Sequence, residues 1–197
     1  MHSTSEATAS MEALYAQLEA LPQDLTGEII GGRLYTQPRP ASPHAVAGSV
    51  LGMDLGSAYQ RGRGGPGGWW ILDEPELHFV RDREVLVPDL AGWRRSRMPR
   101  PPVDQRFEVV PDWVCEIVSP STARQDRGLK MPVYARYGVP HLWLVDPLAR
   151  TLEAFALRDG SWTVIGLLQE NDLVSVEPFG EVTLELGALW IETGAGE

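Results

Sequence analysis

The chain is poor in cysteine, in long apolar runs and in positive charge. Cys115 is its only cysteine, so no disulfide can form within the chain, which fits a reducing compartment. No apolar run approaches the ~20 residues that span a bilayer, and no membrane partner is expected. The opening residues, MHSTSEATAS, lack the apolar stretch of a signal peptide. They read as a flexible leader over residues 1–10, ahead of a single domain over 11–193. Seventeen Lys and Arg face twenty-seven Asp and Glu, a net charge of −10. That balance disfavours broad attachment to nucleic acid, which depends on neutralising phosphates. It leaves room for a carboxylate site that binds a divalent cation. It also leaves room for a local basic patch, and Arg94, Arg95, Arg97 and Arg100 fall within seven positions.

Periodicity supplies the elements. Met11, Leu14, Leu18 and Leu21 lie on one helical face that ends before Pro22. GEIIGGRLY reads as two strands about Gly31-Gly32. Residues 42–60 predict a helix with Ser42 as N-cap and Pro43 at its first position. RGRGGPGG lacks the Lys-Ser/Thr ending of a phosphate-binding loop and reads as a connector. Three strand-like runs follow, WWILDEPELHF, EVLVPDLAGWR and DWVCEIVS. Residues 121–137 read as a helix, with Thr122 and Gln125 spaced as a capping box. HLWLVDP is a strand, and a hairpin closes on Asp159-Gly160. This order predicts an α/β (α+β) fold, a mixed sheet flanked by helices with additional hairpins.

Two acids stand where water is scarce. Glu116 lies in Trp113–Val118, a continuous apolar run of the kind buried on both faces. Strand alternation puts Val114, Glu116 and Val118 on one face and Cys115 and Ile117 on the other. A glutamate among valines needs a cation, because burying a bare charge is costly. Asp89 follows the apolar run Val85–Val87 and either marks a strand end or needs a partner of its own. Lys130, Tyr134 and Tyr137 share a helical stripe, and Pro132 predicts a bend beside Lys130.

Five fragments then fall in order: Val87-Pro88-Asp89-Leu90, Glu116–Ser121, Asp126-x-x-x-Lys130, Tyr134-x-x-Tyr137-Gly138-Val139 and Leu142–Pro147. Together they resemble the Uma-two-type family of restriction endonuclease-like proteins, in the PD-(D/E)XK nuclease superfamily, from about Gly27 to about Leu157. The resemblance implies a cytoplasmic bacterial protein with a restriction-endonuclease-like fold. It implies Asp89, Glu116 and Lys130 as catalytic residues in hydrolysis of DNA phosphodiester bonds, leaving a 5′-phosphate and a 3′-hydroxyl. The superfamily pattern places lysine two residues after the second acid, where this chain has Val118. Lys130 on the following helix is the matching position.

The implied cofactor is Mg²⁺ or Mn²⁺, held by Asp89, Glu116 and the Ile117 carbonyl, with Glu76 as a further candidate ligand. His44, Ser119 and Asp126 are expected to support that first set. Arg94, Arg95 and Arg97 are expected to contact DNA beside the metal. A twofold homodimer would suit cutting both strands. Two rival readings stand beside this one: a non-catalytic interaction module that keeps the fold, and a two-carboxylate sugar hydrolase built on Asp89 and Glu116.

Overall fold

The computed structural model describes residues 3–38, 40–79 and 84–191. Helix α1 (Ser3–Glu19) begins before the apolar face that announces it, so residues 3–10, expected as a leader, continue the helix. Strands β1 (Leu25–Ile30) and β2 (Arg33–Pro38) pair antiparallel. Their turn uses Gly31 and Gly32 at φ 58° and 73°, a geometry that L side chains resist. Helix α2 (Ser42–Leu55) has Ala41 as its N-cap, not Ser42, and no side chain caps it. It continues into a π-helical turn over Gly56–Gln60.

The first two long strand-like runs each break in the middle. β3 (Trp69–Asp73) and β4 (Glu76–Phe79) part at Glu74-Pro75, where Glu74 has φ 44°. β5 (Glu84–Leu86) and β6 (Leu90–Arg94) part at Val87–Asp89. Pro75 and Pro88 have no N–H to give to a ladder, and there the chain leaves one sheet for another. β3 pairs with β6 and β4 pairs with β5. At the split, the Glu74 N–H donates to the Asp89 carbonyl at 3.1 Å.

The chain continues through β7 (Arg106–Phe107), β8 (Trp113–Ile117), α3 (Ala123–Gln125), a π-helical turn (Asp126–Lys130) and α4 (Met131–Tyr137). It ends with β9 (His141–Asp146), β10 (Thr151–Arg158), β11 (Ser161–Gln169), β12 (Leu173–Val174), β13 (Leu184–Glu185) and a 3₁₀ turn over Leu186–Leu189. A five-stranded sheet has the order β2-β1-β5-β4-β7 and a six-stranded sheet β11-β10-β9-β8-β6-β3, while β12 and β13 pair in a small third sheet. β8 and β9 are parallel, and the helical segment 123–137 makes the crossover such strands require. Asp159 and Gly160, at φ 49° and 76°, turn the β10–β11 hairpin. The mixed α+β architecture with added hairpins is the one the sequence predicts.

The six-stranded sheet is covered on both faces. On one, α2 and the C-terminal segment bury Leu51, Leu55, Trp113, Cys115, Ile117 and Trp143. On the other, α4 and the five-stranded sheet bury Ile30, Leu86, Val114, Val118 and Tyr134. Alternation along β8 therefore sends Cys115 to the α2 side and Glu116 to the α4 side. No described helix is long and apolar enough to cross a membrane.

Candidate active site

Glu116 is 2% exposed, and an ionised carboxylate there must be paired. Lys130 Nζ donates to it at 2.8 Å and the Tyr134 hydroxyl at 2.5 Å. These donors stand four residues apart on the crossover helix, on one face. Pro132, lacking an N–H, is accommodated by a π turn, in which the Met131 N–H reaches back to the Asp126 carbonyl. The widened turn is the bend that Pro132 predicts, and it aims Lys130 at the sheet. The expected capping box does not form. The Ser119 N–H donates to the Thr122 hydroxyl at 3.0 Å, and the Gln125 amide donates instead to Glu28 at 2.8 Å.

Lys130 has a second close partner. Glu28, on β1 and 1% exposed, stands 3.0 Å from Nζ. The same carboxylate accepts the Val87 N–H at 2.8 Å. Lys130 also donates to the Val87 carbonyl at 3.1 Å, and Asp126 lies 4.0 Å away. Asp89 directly precedes β6, whose Leu90 pairs with Cys115, so the ladder sets Asp89 opposite Glu116. Its carboxylate accepts the Ile117 N–H at 2.6 Å and meets His44 Nε2 at 3.1 Å. Glu28, Asp89, His44, Glu74 and the Ser119–Thr122 turn line a cleft of 420 Å³. Glu116 and Lys130 lie buried beside it, and among the described residues no Arg or Lys lines it.

One ammonium thus faces Glu28, Glu116 and Asp126, with Asp89 close by. Burial disfavours the Lys130 cation, but these carboxylates outweigh it and its pKa is raised. Burial also pushes Glu116 well above the usual carboxylate range; Lys130 pulls it back, while Asp126, Asp89 and Glu28 push it further up. Lys130 keeps its charge, and Glu116 is held toward its protonated form. Burial lowers the His44 pKa, but the bond to Asp89 and the charges of Asp89, Asp126 and Glu74 prevail, leaving it raised.

Asp126 is pushed up to about 6 from 3.8, by burial first, with Lys130 and Thr122 opposing. The folded state therefore holds a proton that the unfolded chain has lost. That contribution is complete below pH 3.8 and lost as pH rises through about 6. Between pH 4.5 and 7.5, wild type is expected to lose about 2 kcal/mol of stability relative to Asp126→Asn. Urea melts of the two proteins across that range check this, and parallel curves would show that Asp126 does not titrate there.

A hard divalent cation fits this site in donor type and in charge, since four carboxylates face a single ammonium and two of them line the cleft. The donors are not gathered around one point: among the described residues, no three His, Cys, Asp or Glu side chains form a ready ligand set. Both oxygens of Asp89 and both of Glu116 are occupied by protein donors.

The structure draws together Asp89, Glu116, Lys130, Asp126 and His44, with Ile117 giving its N–H to Asp89. Three other sequence expectations find a different placement. Glu76 pairs with His78 at 3.2 Å and lines a separate pocket against α1. It sits on β4, in the other sheet from Glu116. Ser119 bonds Ser121 and Thr122 at 2.9 and 3.1 Å, closing its own turn and not supporting Glu116. Arg94, Arg95 and Arg97 do not border the cleft, because β6 carries the chain five residues from Asp89 before Arg94 appears. A search of curated proteins finds no match. The profile of the Uma2 family, described as "Putative restriction endonuclease", matches residues 13–187.

The chain belongs to the Uma2 family. A crystal structure of a "putative nuclease belonging to DUF820" from Anabaena variabilis ATCC 29413 shares its fold, with a TM-score of 0.71 and 24% identity, over 89% of this chain and 96% of that one. In this Uma2 protein, the residue that sequence reasoning missed is Glu28. Its signal was the one that found Glu116: along β1 it shares a face with Ile30, which is buried. A second signal lay in the composition. Lys130 is the only lysine of the chain; the other sixteen basic residues are arginines.

Proposed function

We propose that this protein is a metal-dependent endonuclease that hydrolyses DNA phosphodiester bonds in the cleft beside Asp89. The observation that carries the reading is the buried Lys130 ammonium, fixed between Glu116 and Glu28 next to Asp89. Membership of a family described as restriction endonucleases supports it. Asp89 and Glu116, with the Ile117 carbonyl, would hold Mg²⁺ or Mn²⁺, and Glu28 supplies a further carboxylate at the cleft wall. An ion held there would supply Lewis acidity to activate water and positive charge to screen the phosphate. Lys130 adds a fixed positive charge against the charge that develops in the reaction. His44 orients Asp89. A sugar-cleaving pair would need both acids against substrate, and Glu116 is buried.

The alternative is a non-catalytic module, with Lys130 serving only as a counter-ion. The filled carboxylate oxygens and the missing three-ligand set favour it. Incubation of supercoiled plasmid with Mg²⁺ or Mn²⁺, beside Glu116→Ala, separates the two. Nicking by wild type alone supports the nuclease, and intact plasmid in both supports the module.

Metal has a second readout. An ion that binds only the folded state at a hundred times its Kd stabilises by about 2.7 kcal/mol, worth several degrees in Tm for a domain of this size. Wild type is expected to show that rise and Glu116→Ala to lose it. Melting curves that ignore millimolar Mg²⁺ and Mn²⁺ would favour the module.

A further inference from the structure

The arginines displaced from the cleft are not scattered. Arg94 and Arg95 stack over Trp69 and Trp70, with guanidinium carbons 4.6 and 4.1 Å from the ring centroids. Arg95 donates to the carbonyls of Trp69 and Gln60 at 3.1 and 3.0 Å, and its N–H donates to the Gly68 carbonyl at 2.9 Å. It thereby ties the turn after β6 to the glycine-rich loop before β3. That loop carries Arg61 and Arg63. Arg61, Arg63, Arg94, Arg95, Arg97 and Arg100 are all exposed. Six of the chain's sixteen arginines thus lie on two segments that Arg95 ties together at one end of the six-stranded sheet, in a protein of net charge −10.

Neither segment carries an acid, from Leu55 to Leu72 or from Leu90 to Val103. Asp112 is the neighbouring counter-charge, 2.9 Å from Arg97. Arg61, Arg63 and Arg100 make no ion pair among the described residues. Gly62, Gly64, Gly67 and Gly68 all have positive φ, so the loop holds a shape that carries few side chains besides its two arginines.

We propose that this end of the sheet is a phosphate-anchoring surface for duplex DNA, separate from the cleft. The inference rests on the nuclease reading for its choice of polyanion, and on charge complementarity for the surface itself. Arg95 and Arg97 are the built part, locked by their bonds to the protein. Arg61, Arg63 and Arg100 make no ion pair or side-chain hydrogen bond among the described residues, and each suits bidentate contact with phosphate oxygens. Five residue steps of extended chain lead from Asp89 to Arg94, roughly 17 Å at ~3.4 Å per step. Phosphates on one DNA strand rise 3.4 Å per step along the duplex axis, so a duplex lying along β6 would have its anchored phosphates about five steps from the bond in the cleft. This division explains how a cleft lined by carboxylates, with no Arg or Lys among its described lining residues, can hold a polyanion: the duplex is gripped elsewhere.

The test is fluorescence anisotropy with a 30-base-pair duplex, in Ca²⁺, across a salt series. Wild type is compared with the triple variant Arg61→Gln/Arg63→Gln/Arg100→Gln, which leaves Arg95 and its structural bonds intact, and Tm checks folding. The triple variant is expected to bind at least tenfold more weakly in 0.1 M salt. The slope of log K against log salt should fall by about 2.7, at ~0.9 per phosphate contact. Equal affinity and slope would overturn the anchoring surface. Tighter binding of heparin or of duplex RNA than of DNA would overturn the assignment of the partner. Plasmid nicking is scored separately with wild type. Nicking without loss of binding in the triple variant sinks the surface and spares the nuclease, whereas loss of binding in the triple variant without any nicking spares the surface and sinks the nuclease.

Discussion

Replacing Lys130 by methionine is expected to cost about 3–5 kcal/mol at pH 7.5, the penalty for removing one partner of a buried ion pair. Nζ is 2.8 Å from Glu116 and 3.0 Å from Glu28, and both side chains are almost fully buried. Methionine fills much of the volume, so the loss is electrostatic more than a cavity. The penalty depends on pH in a known direction. Without the ammonium, which opposes the upward shifts of Glu116 and Asp126, the folded state favours the protonated forms of these two more strongly than wild type does, raising their pKa further above the unfolded value. Their contribution is then complete below the unfolded carboxylate pKa, about 4.3, and lost as pH rises. The gap between variant and wild type should therefore narrow from pH 7.5 to pH 5. Adding Glu116→Gln to Lys130→Met should recover part of the loss, because it removes a charge the variant cannot pair. Urea denaturation of the four proteins of that cycle measures all three effects. A cost below 1 kcal/mol at pH 7.5 would mean that Lys130 is not the counter-ion the geometry makes it.

The parts of this site that were legible in the sequence are those where one strand or helix carries the whole signal. Glu116 among valines, and Lys130 in line with Tyr134, are periodicity statements that local geometry fixes. Asp89 was harder to read, because it sits in neither β5 nor β6 but in the step between two sheets. The runs 69–79 and 84–94 look continuous, since both halves of each are apolar. Only Pro75 and Pro88 mark the break, and a proline alone does not say which partner each half will choose. Glu28 was hidden for a different reason. It sits beside a glycine hairpin, where a polar residue is ordinary, and its partner lies 102 positions away on the crossover helix. The arginine turn was misplaced by treating nearness in sequence to Asp89 as nearness in space. A five-residue strand is long enough to carry it to the other end of the sheet.

Asp89→Asn is expected to reduce plasmid nicking by about 10²–10⁴-fold, the range for loss of a positioned acid–base or charge-stabilising group, while shifting Tm little. Asparagine keeps a carbonyl oxygen for the Ile117 N–H, the bond that ties the start of β6 to β8, so the local backbone has no reason to move. What it loses is the negative charge at the cleft wall, which Asp89 lines together with Glu28. His44 would also lose the partner that raises its pKa. The variant is purified in the same way as wild type and so controls for contaminating nuclease. Activity should be read at saturating plasmid and saturating Mn²⁺, so that a weakened metal site is not mistaken for a lost chemical step. If Asp89→Asn nicks plasmid at the wild-type rate while Glu116→Gln does not, the chemistry runs from Glu116 and Glu28 without Asp89, and Asp89 is a strand clamp. If neither substitution changes the rate, the cleavage does not belong to this cleft.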